Sequence, residues 1–144
     1  MSKLSEQLFE LMTEDGFTQI SLATAMNTPR TKLSMYLNDK SLPEYKYLVA
    51  IVEFFHCSAD FLIGLSDDPK REIKYKPVAP FDSRLRELIK IKKTSQYALI
   101  KQTGISWNTL HHWLIAKSFP SVENLIKLKK FFDCSIDYIL GRES

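Results

Sequence analysis

The chain repeats itself. Shifted by 77 places, the sequence matches its own second half without a gap. Leu8, Glu10 and Leu11 fall on Leu85, Glu87 and Leu88, and Gln19 and Leu22 fall on Gln96 and Leu99. Leu33 and Leu37 fall on Leu110 and Leu114, and Lys40, Ser41 and Pro43 on Lys117, Ser118 and Pro120. Leu48, Phe54, Phe55, Cys57, Ser58, Asp60 and Gly64 fall on Leu125, Phe131, Phe132, Cys134, Ser135, Asp137 and Gly141. Tyr36 faces Trp113, and Phe61 faces Tyr138. So many coincidences in one register make the chain two copies of a unit of roughly 65 residues. A domain so small buries little surface, and helix-rich units manage best at that size.

Each copy reads as all-helical. Leu8, Leu11 and Met12, and in the second copy Leu85, Leu88, Ile89 and Lys92, follow the stripe of a helix with one buried face. Two short helices follow, over about 18–26 and 29–38, with copies over 95–103 and 106–115. Thr28 is expected as an N-cap with Pro29 at the first helical position. A longer helix runs over about 44–56 and 121–133, with apolar spacing Leu48, Ile51, Val52, Phe55 and Leu125, Leu128, Phe132. A last short helix starts at the capping Ser58 or Ser135 and stops at Gly64 or Gly141. Phe54, Phe55, Phe131, Phe132, Tyr36 and Trp113 are expected in the cores. No stretch alternates as a strand does. Residues 66–80 separate the copies, with three prolines and dense charge, and read as an extended connector.

Composition narrows the class. Only 4 glycines and 6 prolines occur, too few for a turn-rich β chain. No apolar run approaches the roughly 20 residues of a membrane span, and Met1 to Gln7 lack a signal-peptide core, so a cytoplasmic protein is expected. Cys57 and Cys134 make neither a disulfide framework nor a zinc site, and each reads as a small buried apolar residue. Charge is uneven: residues 1–66 hold 5 Lys/Arg against 8 Asp/Glu, whereas residues 83–144 hold 11 against 5. A basic half suits a polyanionic partner. No phosphate loop, arranged nucleophile or metal-ligand spacing occurs, so neither an enzyme nor a cofactor is expected. His111 and His112 are helix neighbours about 100° apart and do not share one metal ion.

The most informative stretch is Thr18 to Pro43 with its copy Ser95 to Pro120. Two short helices meet at a turn that holds Asn27 or Gly104, residues that tolerate positive φ. Ala23 lets the helices approach, and Leu22, Leu33 and Leu37 supply their seam. These features, with Thr18-Gln19 and Ser95-Gln96, Pro43 and Pro120, and Cys57-Ser58-Ala59-Asp60 and Cys134-Ser135-Ile136-Asp137, resemble the helix-turn-helix of the phage Cro/repressor type, the XRE family. The resemblance covers about nine tenths of the chain. It implies two lambda-repressor-like five-helix domains, 1–65 and 81–144, joined by linker 66–80. Leu37 and Leu114 stand where the family often has Glu. Asp39 and Ala116 replace a family Gly, which implies a different helix exit. Ile100 replaces the small residue Ala23, which implies a wider helix spacing in the second copy.

In such domains the third helix enters the major groove and the second crosses the backbone. Carried over residue by residue, Gln19 and Gln96 would bond a phosphate. Arg30, Thr31, Ser34 and Met35 would face bases in the first copy, and Trp107, Asn108, His111 and His112 in the second. Lys32, Asn38, Lys40, Lys93, Lys101 and Lys117 would meet phosphates.

The expected function is a sequence-specific regulator of double-stranded DNA, a repressor of bacterial or phage origin. It would reside at the nucleoid, or in host cytoplasm if phage-encoded. Its partners would be DNA and a second copy of the chain, or the two units would act as an intramolecular pseudo-dimer. The alternative is a protein-interaction module on the same scaffold, an antirepressor or an inhibitor of another regulator or a nuclease, with a protein partner in place of DNA.

Overall fold

A computed structural model describes residues 3–144, which separate into two compact units, one ending at Ile73 and the other Lys74–Ser144. Met1 and Ser2, on which the expectation about the chain start partly rests, lie outside the described residues. Unit 1 holds α1 (Lys3–Glu14), α2 (Gln19–Ala25), α3 (Arg30–Leu37), α4 (Tyr45–Phe55) and α5 (Ala59–Ile63). Unit 2 holds α6 (Phe81–Ile91), α7 (Gln96–Thr103), α8 (Trp107–Leu114), α9 (Val122–Phe132) and α10 (Ile136–Ile139). Among the described residues there is no strand. The helices fall within a residue or two of the ranges that periodicity predicts, the flanking residues being caps.

The repeat persists in three dimensions. Gln19, Arg30, Tyr45 and Ala59 open their helices 77 residues before Gln96, Trp107, Val122 and Ile136. Each unit buries its own leucine-rich centre: Leu8, Leu22, Leu33, Leu48, Val52 and Phe55 in the first, Leu85, Leu88, Leu99, Leu110, Leu125 and Leu128 in the second. The first helix of each unit packs on the third, α1 on α3 and α6 on α8. The second helices differ. α2 lies against α3, whereas α7 packs chiefly on α9, as expected where Ile100 takes the place of Ala23. Tyr36 and Trp113 are both buried, Trp113 with its ring edge-on to Phe81 at 5.7 Å.

Of the caps expected from the sequence, Ser58 and Ser135 form and Thr28 does not; Glu44 and Pro80 also cap their helices without a side-chain bond. Thr18, Ser58, Ser95, Ser106, Ser121 and Ser135 each accept a first-turn backbone N–H. Thr28 does not. Its side chain is buried and donates back to Met26, while Pro29 takes the cap position without a side-chain bond. A proline there presents a preset φ but no side-chain acceptor.

Four core expectations also need correction. Phe54 is exposed, with its ring against Phe17 and Phe55, and Phe131 is half-buried. Adjacent helix positions point about 100° apart, so only one of each Phe pair can reach a core. Lys92 is the exposed C-cap of α6 rather than part of its buried stripe. Cys57 is buried, but Cys134 is half-buried.

Residues 66–80 divide between the units. Arg71 forks onto Asp15, with nitrogen–oxygen distances of 2.8 and 2.6 Å, and its Nε donates to the Phe55 carbonyl at 3.1 Å. The Ser58 N–H donates to the Pro69 carbonyl at 2.8 Å, and His56 Nε2 lies 2.6 Å from the Ile73 carbonyl. On unit 2, Lys76 and Ala79 donate backbone N–H groups to the Arg142 and Leu140 carbonyls. The guanidinium of Arg142 stacks on Tyr75 at 4.0 Å and pairs with buried Asp137 at 2.6 Å. Each unit thus carries a strap from the joining segment. No described helix is long and apolar enough to cross a membrane.

Candidate nucleic-acid interface

The second and third helices of each unit meet at a turn that demands positive φ, and the backbone adopts it: Asn27 has φ 50° and Gly104 has φ 75°. This turn aims α3 and α8 away from the cores, which hold only their inner faces, Leu33 and Tyr36 or Leu110, Trp113 and Leu114. The helix exits differ by one residue. Positive φ falls at Asp39 in unit 1 but at Lys117, one register place later, in unit 2. Arg86 donates to the Leu114 carbonyl at 3.0 Å and so holds the end of α8. Its counterpart Phe9 is exposed.

All predicted contact residues reach solvent. Gln19 and Gln96 are half-buried in the first turns of α2 and α7, where Thr18 and Ser95 fix the caps. Thr18 and Ser21 bond reciprocally, at 3.0 and 2.9 Å, as a capping box. In unit 1, Arg30, Thr31 and Met35 are exposed and Ser34 is half-buried. In unit 2, Trp107, Asn108, His111 and His112 are all exposed.

Several of these side chains already have partners. Lys32 pairs with Glu44 at 2.9 Å and lies 5.3 Å from the Tyr47 ring centre. The Glu44 hydrogen bond pushes its pKa up. A phosphate contact by Lys32 therefore competes with a carboxylate. Asn38 donates its amide to the Ser34 carbonyl at 2.8 Å and to Ser34 Oγ at 3.2 Å, so these two polar groups turn toward each other. Lys101 lies over exposed Tyr97 at 5.7 Å, and the Trp107 and His111 rings are 6.0 Å apart. Lys40 and Lys117 are exposed at the helix exits, and Lys93 is exposed at the turn before α7.

Lys93 lines an open groove of about 310 Å³ with Lys92, Thr94, Gln102, Phe131 and Phe132. A second groove of about 340 Å³ shares Gln102 and Phe131 and adds Lys127 and Lys130. These lysines and the exposed Ile115 were not among the residues singled out from the sequence. The three-residue step from Lys127 to Lys130 on the outer face of α9 was the available signal.

Residues 84–144 match the family model of the Cro/C1-type helix-turn-helix DNA-binding domain, and residues 8–62 match the helix-turn-helix model. The chain belongs to this family and carries two such domains in tandem. It is a DNA-binding regulator in the general sense that these domains define. No curated protein and no solved structure matches the chain.

Proposed function

We propose that the chain is a sequence-specific transcriptional repressor of bacterial or phage type whose two units read unlike half-sites on double-stranded DNA. The observation that carries this is the chemistry of the two exposed faces. At matched positions, unit 1 presents Arg30, Thr31, Ser34 and Met35, and unit 2 presents Trp107, Asn108, His111 and His112. Arg pairs bidentately with guanine and Asn with adenine, so the two faces suit different bases. Lys40, Lys93, Lys101 and Lys117 surround them with charge for phosphates, and Gln19 and Gln96 stand at helix starts where a phosphate is favoured.

Joining both readers in one chain raises the effective concentration of the second once the first has bound. One chain then acts as a pseudo-dimer on an asymmetric operator. Selection of bound duplexes from a random pool at near-physiological salt tests this. Two dissimilar half-sites support it. One repeated half-site would mean that one unit reads and that chains pair through the other.

A second reading rests on charge. Unit 1 through Ile73 holds 7 Lys/Arg against 11 Asp/Glu, and unit 2 holds 13 against 6. An acidic unit repels phosphates, which favours a protein partner for unit 1 while unit 2 holds DNA. Absence of any enriched duplex would move the whole chain to the protein-interaction class.

A further inference from the structure

We propose that α8 reads thymine methyl groups, so that the half-site of unit 2 is an A·T-rich duplex segment selected by apolar contact. The inference rests on the DNA-binding function proposed above and deepens it.

Three register-matched positions carry it. Along the reading helix and its exit, unit 1 has Arg30, Ser34 and Asn38 where unit 2 has Trp107, His111 and Ile115. Trp107 is 54% exposed and Ile115 60%. The His111 ring sits beside Trp107, tilted by 37°. Residues four apart share a helix face, so the three form one ridge. Eight residues at ~1.5 Å make that ridge about 12 Å long. At ~3.4 Å per base pair, it spans three to four pairs.

The major-groove floor offers one apolar feature, the C5 methyl of thymine. Guanine O6 and N7 and the cytosine amino group need hydrogen-bond partners, and the carbon faces of Trp107 and Ile115 laid on them leave them unsatisfied. The ridge therefore favours thymine and disfavours G·C pairs. Asn108, exposed and next to Trp107, offers the amide that pairs with adenine N6 and N7, the other half of the same base pair. The excess of Lys and Arg in unit 2 supplies attraction to phosphates without sequence information. At the matched places unit 1 has no such ridge, and Arg30 gives its half-site a guanine preference.

The test uses the full chain and its enriched duplex. Each thymine is replaced in turn by deoxyuridine, which removes the C5 methyl and nothing else. Within the half-site of unit 2, each replacement is expected to weaken binding roughly threefold to fourfold, the value of one buried methyl. Trp107→Ala and Ile115→Ala should each remove the thymine–uracil difference at the base pair that its side chain covers, and the double variant should bind the two duplexes equally. Both side chains are exposed, and the wild-type chain on substituted DNA needs no variant at all. Uracil indifference at every position of the enriched site would overturn the inference while leaving sequence-specific binding intact. If a protein covers the ridge instead, the half-site of unit 2 will be missing from the enriched duplex. The Trp107 contribution to fluorescence, read against Trp107→Phe, will then stay unchanged at saturating DNA, which also overturns it. Failure to enrich any sequence would overturn the parent function, and the inference with it.

Discussion

Tyr36 and Trp113 occupy the same place in the repeat and show how much a single buried polar atom matters. The Tyr36 hydroxyl is buried without a hydrogen-bond partner among the described residues, and burial pushes its pKa up to about 12. A buried hydroxyl that bonds nothing costs stability. Tyr36→Phe should therefore leave unit 1 as stable or raise it by about 0.5–1 kcal/mol, read from denaturant midpoints. Because the folded phenol loses its proton later than the unfolded one, the native chain destabilises above about pH 10, and Tyr36→Phe should soften that loss. On the proposed reading faces, Arg30→Ala should cost about 1–3 kcal/mol of binding and relax preference at one base pair. Lys117→Ala should weaken all sequences alike and lower the salt slope by about one. Binding titrations over a salt series separate the two outcomes.

Among elements, the turns and straps decide how the helices are presented. Gly104 has φ 75° and open space where a Cβ would stand, so Gly104→Ala meets backbone strain alone. That substitution should destabilise unit 2 by about 1–2 kcal/mol, whereas Asn27→Gly should be neutral or mildly stabilising. The Arg71 strap adds a pH signature. Its guanidinium holds Asp15 below the ordinary 3.8, chiefly through the side-chain hydrogen bonds. A carboxyl lowered on folding contributes stability that is complete above its unfolded pKa and is lost as pH falls through the folded one. Arg71→Ala should thus cost unit 1 about 1–2 kcal/mol at neutral pH. The deficit should shrink only below about pH 4, as followed by acid unfolding of both chains. Helix number and position were legible in the sequence because the 77-residue register gives two independent looks at every stripe and cap. The straps were not. Prolines and charges in 66–80 signal an extended backbone, but nothing local says that Arg71 will meet Asp15, 56 residues away. Phe54 and Phe131 were misplaced for a related reason, since a pair of adjacent aromatics does not reveal which of them faces inward. The exposed residues proposed to read bases were visible only through the family pattern, and the apolar continuation to Ile115 lay just beyond the helix end, where that pattern stops.

For the whole molecule, the repeat comprises two units of opposite charge. Both tryptophans, Trp107 and Trp113, lie in unit 2. Tryptophan emission therefore reports unfolding of that unit alone, while circular dichroism reports both. Arg71→Ala should shift the dichroism transition down, by about 4–8 °C per kcal/mol for a unit of this size, with the fluorescence transition unmoved. The unlike faces of α3 and α8 carry a last consequence. A pair of identical readers sees the same site from either strand. On the function proposed above, a chain with Arg30 at one place and Trp107 at its counterpart would not, and its target would have a front and a back. Inverting such a site in a promoter would invert which unit faces the start of the gene. Such a protein would mark direction along DNA as well as location.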